Sequence, residues 1–203
     1  MTRLPRAFFA RDTRRVARDL LGMVLVRVRA DGARLSGRIV ETEAYRPGDA
    51  ASHAFRGRTA RNAPMFMRPG TAYVYFTYGM HFCFNVVTEA DGLAAAVLVR
   101  ALEPLDGLAH MRAALPHLKD RDLCRGPARL CRALGIGREF NGYDLQQRGS
   151  RLFIAEGAPV AEAEVRVTPR IGVRGDAAAR AALWRWYVAD SACVSGPPAR
   201  PAR

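Results

Sequence analysis

The sequence predicts an α+β fold: a single domain with a mostly antiparallel, curved β-sheet, surrounding helices and a protruding aromatic β-hairpin. Three observations carry this expectation. Alternating apolar segments come mainly as hairpin pairs rather than strand–helix–strand units, which favours antiparallel pairing. At 203 residues, 49% hydrophobic and 25% charged, the chain has the size and balance of one globular domain with a substantial core. Finally, Thr71–Asn85 (TAYVYFTYGMHFCFN) sets aromatic residues on both sides of a glycine-containing turn.

Phe8 to Leu21 reads as a helix, with Asp12 or Thr13 as cap and Val16, Leu20 and Leu21 as its apolar stripe. Met23 to Val28 reads as a strand, Ala30-Asp31-Gly32 as a turn, and Arg34 to Tyr45 as the partner strand. Arg46 to Gly70 is rich in proline and glycine and reads as a loop; Arg46, Arg56, Arg58, Arg61 and Arg68 lie along it. A loop this long inside a compact domain is usually functional or disordered, and its aromatics and histidine favour function. In the aromatic hairpin, Tyr73 and Tyr75 share one strand face and Tyr78 lies near the tip. Ala94 to Ala101 is a buried strand interrupted by Arg100. Leu105–Leu115 and Pro127–Leu134 read as helices, the second with proline in its first turn. Short strands follow at Arg151–Ala155 and Glu164–Thr168, then a helix near Ala177–Leu183 and a strand at Trp184–Val188. One domain is therefore expected over 1–195, with a disordered tail at 196–203.

Lys and Arg number 32 against 19 Asp and Glu, a net charge of +13, which favours a polyanionic partner. Compositional bias explains why Lys119 is the only lysine, but it does not explain the shortage of acids. No apolar run reaches membrane-spanning length, and Asp12 soon interrupts the basic N-terminus, so a cytoplasmic protein is expected. Cys83, Cys124, Cys131 and Cys193 lack close CxxC spacing and read as buried free thiols; no metal and no cofactor is expected.

On a regular strand Glu41, Glu43 and Tyr45 share a face. An acid beside an aromatic, running into an arginine-bearing loop, suits a general base in a base-binding pocket; a solvated sheet edge is the plainer reading. His53 stands alone, Tyr73 and Tyr75 fit a core, and Asn85 fits a strand end. Arg100 needs a buried carboxylate, with Glu43 or Glu41 the natural candidates. An aromatic at a hairpin tip on a cationic chain fits a wedge between stacked bases. Two other functions use the same residues: a non-catalytic nucleic-acid module, and a carbohydrate glycosidase with Glu41 and Glu43 as its carboxylate pair.

Taken together, GRIVETEAY (Gly37 to Tyr45), the run Ala51 to Asn85, VLVRALEPLDG (Val97 to Gly107) and DLCRGPARLCRALGI (Asp122 to Ile136) resemble the alkyladenine (3-methyladenine) DNA glycosylase family. RIGV (Arg170 to Val173) and WRWYV (Trp184 to Val188) look like its C-terminal elements. The resemblance covers most of the chain in one order. It implies Glu43 as the base that activates water against C1′, with Arg100 holding that water. It implies Tyr45, His53 and Tyr75 as the pocket around a flipped base, Asn85 as the residue that disfavours guanine, and Tyr78 as the wedge. Arg58, Arg61, Arg68 and His81 become candidates for backbone contacts, although His81 stands where some relatives carry tyrosine. The implied partner is double-stranded DNA containing damaged purines, met by a monomer acting at the nucleoid. The short amino terminus, without a nuclear signal, fits a bacterial-type member.

Overall fold

The computed structural model describes residues 1–77 and 79–196; the wedge candidate Tyr78 and the tail beyond Gly196 lie outside the described residues. Strand β2 (Arg34–Tyr45) is the spine of the sheet. Along one edge it pairs first with β1 (Val24–Val28) and further on with β8 (Arg185–Val188); along the other it pairs with β5 (Ala96–Pro104). Beyond β5 come β4 (His81–Val87) and β3 (Ala72–Thr77), beyond β1 comes β6 (Leu152–Ala155), and β7 (Val165–Thr168) flanks β8. All these pairings are antiparallel, as the hairpin-rich sequence led us to expect. The aromatic hairpin is β3–β4, closing at the Thr77↔His81 pair, with Met80 at the tip 69% exposed.

The pairing of β2 with β5 slips on both sides of Glu41. A bulge of this kind re-aims side chains, so the regular alternation assumed for Glu41, Glu43 and Tyr45 does not hold along the whole strand.

The helix expected over 8–21 is two helices, α1 (Arg6–Phe9) and α2 (Thr13–Asp19). The break comes from the capping residue itself. Asp12 sits at φ −48°, ψ 130° and accepts hydrogen bonds from the Arg14 and Arg15 amides. An N-cap needs non-helical backbone, so one helix cannot run through it. The helix expected from Leu105 starts late, as α3 (Leu108–Ala114), because β5 continues to Pro104 and Gly107 turns the chain at φ +79°. A side chain at Gly107 would lie 2.8 Å from the Arg34 carbonyl, so both the turn and the close approach require glycine. Helix α4 (Pro127–Leu134) matches expectation, with proline in the first turn, and the structure adds Gly135 as a left-handed C-cap. It buries Leu130, Cys131, Ala133 and Leu134 on the sheet side, packing against β4 and β5. Each such leucine contributes about 1.5–3 kcal/mol. Asp176 caps α5 (Ala177–Ala181), and all four cysteines are buried and unpaired.

The 46–70 loop is organised by turns, by a 3₁₀ turn at Ala63–Phe66 and by one buried side chain. The Asn62 amide nitrogen donates to the carbonyls of His53 (2.9 Å) and Gly57 (3.0 Å), and its oxygen accepts from the Thr59 amide (2.7 Å). Asn62→Ala should therefore cost about 1–3 kcal/mol locally. Faster limited proteolysis between residues 53 and 62, at unchanged global melting, is the expected readout.

Candidate active site

Glu41 and Glu43 each have 0% relative exposure, which rules out the solvated-edge reading. Burial at this depth requires partners, and both acids converge on Arg100. Arg100 Nη1 lies 3.1 Å from Glu43 Oε1, and Arg100 Nε donates to Glu41 Oε1 at 2.9 Å. Burial opposes the Arg100 charge, but Glu43 and Glu41 outweigh it and push the guanidinium pKa up. The pairing anticipated for Arg100 is thus made with both candidates at once.

The two acids differ in what else they accept. Glu41 Oε1 also takes Arg185 Nε (2.6 Å) and the Ser195 hydroxyl (3.0 Å), while Oε2 takes the Ser195 amide (2.6 Å). With Arg100 Nε counted, three donors meet Oε1 and one meets Oε2, so two arginines and Ser195 anchor Glu41. That anchoring counts against Glu41 as the second acid of a carbohydrate glycosidase. Glu43 accepts the Ile171 amide on Oε1 (2.8 Å) and the Tyr45 hydroxyl on Oε2 (2.8 Å). The Tyr45 contact comes from a side-chain hydroxyl, and Tyr45 and Arg100 both line the adjoining cavity.

That cavity encloses about 540 Å³, an ordinary size for a small-molecule site. Tyr45, His53, Tyr73, Tyr75, Asn85 and Arg100 all line it, so every pocket residue expected from the sequence comes together. Tyr73 joins them, although the sequence favoured a packing role for it. It is 1% exposed, yet its hydroxyl meets His53 Nδ1 at 2.9 Å. Burial pushes the Tyr73 phenol up to about 12, and burial followed by Cys83 pushes Tyr75 higher still, so both stay neutral hydroxyls. Enclosure first, and the Arg61 cation second, lower the His53 pKa and keep the imidazole neutral near pH 7. The His53 ring stands edge-on to Tyr75, with centroids 4.5 Å apart. Asn85 pairs across the hairpin with Tyr73, and its amide donates to the Tyr73 carbonyl at 3.0 Å, which fixes the amide's orientation.

Arg170 is the residue the sequence under-reported. The segment RIGV carries the family resemblance, but the sequence assigns no partner to its arginine. Arg170 is 5% exposed, forms a two-pronged ion pair with buried Asp49, and donates to the carbonyls of Ala44 (2.9 Å) and Ala179 (3.0 Å). Its guanidinium lies over the rings of Tyr45 (4.7 Å) and Trp184 (5.0 Å). One arginine thereby joins the strand end, the loop and α5, and its neighbour Ile171 supplies the amide that holds Glu43. An arginine in a short motif after β7 was the only available signal.

The backbone-contact candidates have different surroundings. Arg61 is exposed, bonds the Phe76 carbonyl (3.1 Å) and lies 5.9 Å from the Tyr75 ring centroid, beside the cavity. Arg58 is exposed over Phe66, and His81 opens β4 beside the hairpin tip. Arg68 is paired with Asp144 at 2.8 Å, an acid it shares with Arg6.

An aromatic-walled cavity backed by a buried, arginine-paired carboxylate, on a chain of net charge +13, has the layout of an enzyme that acts on a nucleic-acid base. The chain belongs to the methylpurine-DNA glycosylase family, which it matches over residues 7–192. It is accordingly a DNA-repair hydrolase acting on N-glycosyl bonds. Among similar proteins, one from Carboxydothermus hydrogenoformans is 50% identical over 95% of this chain and 98% of its own length. One from Burkholderia lata is 50% identical over 97% and 93%. One from Methanocella arvoryzae is 48% identical over 95% of each. All three carry the name "Putative 3-methyladenine DNA glycosylase".

Proposed function

We propose that the protein is a monofunctional DNA glycosylase that flips alkylated or deaminated purines out of duplex DNA. It hydrolyses the N-glycosidic bond with a water activated by Glu43 and leaves an abasic site. The observation that carries this reading is the buried Glu43–Arg100 pair directly behind the aromatic cavity. A stacked nucleotide cannot present C1′ to a nucleophile, so the base must leave the helix at a cost of about a few kcal/mol. Stacking on aromatic side chains returns about 1–3 kcal/mol per base and tolerates different ring shapes, which suits a range of lesions. A purine alkylated at N3 or N7 is cationic, and the faces of Tyr45 and Tyr75 favour such a ring.

In the reaction, Glu43 takes a proton from water, the oxygen attacks C1′, and the purine departs with the bonding electron pair. Arg100, with the ion pair to Glu43 already made, orients the carboxylate and the water. Asn85, held by the Tyr73 carbonyl, presents a fixed amide to the base edge and crowds the exocyclic amine of guanine. A strand-cleaving glycosylase needs an amine for a Schiff base. Lys119 is exposed beside Asp120 and does not line the cavity, which supports water as the nucleophile.

The direct test incubates purified protein with methylated duplex DNA and measures released 3-methyladenine, scoring strand scission separately. Free base with strands that break only on alkali treatment is the expected result. Absence of base release overturns the proposal, and a borohydride-trapped adduct overturns its monofunctional part. For the wedge, Tyr78→Ala should weaken binding to a lesion in duplex DNA more than to the same lesion in a single strand. Equal losses on both substrates count against a wedge.

A further inference from the structure

We propose that Ser195, together with Glu41, is a positioning residue that aims Arg100 at the reaction centre. The inference rests on the reading of Glu43 and Arg100 as the catalytic pair. A guanidinium has five N–H donors in one rigid plane. Arg100 commits two of them in hydrogen bonds within the protein, Nε to Glu41 (2.9 Å) and Nη2 to the Ser195 hydroxyl (3.1 Å), while Nη1 lies 3.1 Å from Glu43 Oε1 as an ion pair. The other N–H groups sit on the two terminal nitrogens of a residue that lines the cavity. Because the fork is planar, the Glu41 and Ser195 contacts fix where those groups point.

Ser195 is itself held from several directions. Its amide and hydroxyl both donate to Glu41, at 2.6 and 3.0 Å, and its carbonyl accepts Arg185 Nη2 at 3.0 Å. The preceding carbonyl, of Val194, accepts Arg125 Nε at 2.9 Å. Glu41, Glu43, Arg100 and Arg185 form a charge-balanced buried group, and the Ser195 hydroxyl bonds two of its members, Glu41 and Arg100. Each member is at most 7% exposed, so water cannot substitute freely for a lost contact. Two arginines and a buried glutamate thus tie a C-terminal segment to the arginine beside Glu43. A purely packing role would not require a hydroxyl at 195.

The test compares wild type, Ser195→Ala, Ser195→Thr, Arg100→Lys and the Ser195→Ala/Arg100→Lys double variant in single-turnover base release from methylated DNA. Affinity for an abasic-site duplex is measured in parallel. Ser195→Ala should slow release about tenfold, the scale of one hydrogen bond to a charged group, with affinity unchanged. Ser195→Thr, which keeps the hydroxyl, should recover most of the rate. In the Arg100→Lys background Ser195→Ala should cost little more, because the planar fork it aims is gone. An equal loss in both backgrounds, a loss in affinity alone, or no loss at all overturns the inference. If wild type releases base, Arg100→Lys is impaired and Ser195→Ala is normal, this inference alone fails. If wild type releases none, the underlying functional reading fails instead.

Discussion

Glu43→Gln is expected to slow base release by about 10²–10⁴-fold, the usual worth of a general base, while lesion-duplex affinity stays within a few-fold of wild type. The substitution keeps the shape of the side chain and its acceptor for the Ile171 amide, but the amide group cannot take a proton from water. Folding should survive, because Arg100 keeps Glu41 as a charged partner at 2.9 Å. Binding should survive because His53, Tyr73 and Tyr75 wall the cavity without a hydrogen bond to residue 43, and Tyr45 keeps a polar partner in the glutamine. Single-turnover excision on methylated duplex, paired with a binding titration, checks both halves. Equal rates for variant and wild type remove Glu43 from the role of base. Equal falls in binding and rate point to a disturbed pocket instead.

The second large effect falls on stability. Arg170→Met is expected to cost about 3–5 kcal/mol, because it leaves Asp49 as an uncompensated buried charge. Asp49 is 5% exposed, and the other donor to its side chain is the Ala51 amide at 3.0 Å. The variant also loses the stacking on Tyr45 and Trp184 and loosens the segment that brings the Ile171 amide to Glu43. Urea unfolding should show a lower midpoint at unchanged m-value. Adding Asp49→Asn should recover part of the loss by removing the orphaned charge, and an unchanged midpoint in Arg170→Met would show that the pair is not stabilising.

Much of the local structure was legible because it follows short-range rules. Period-two alternation around turn residues gave the hairpins, and their excess gave the antiparallel sheet. Pro127 marked the first turn of α4. Asp12 was recognised as a cap, although its consequence, the division of one expected helix into two, depends on backbone angles that composition does not reveal. The boundary errors share a cause: β5 runs on to Pro104 because Gly37 to Ile39 on β2 offers it a partner, and pairing is a tertiary matter.

The sequence by itself determined the chemistry at hand: a cationic chain, an aromatic hairpin, two acids near one end of a strand, and an arginine too costly to bury alone. Motif similarity put those residues into one family, to which the chain belongs. Only the tertiary structure shows how the surroundings of the two acids differ. Glu41 and Glu43 have the same side chain two positions apart, and what separates them is the set of donors each meets. Four donors meet Glu41, while Glu43 meets the Ile171 amide and the hydroxyl of Tyr45, a residue that lines the cavity. Apart from Arg100 and Tyr45, those donors come from Ser195, Arg185 and Ile171, more than 120 residues away along the chain. Hydrogen bonds act over about 3 Å, so no local pattern around ETEAY could have announced them.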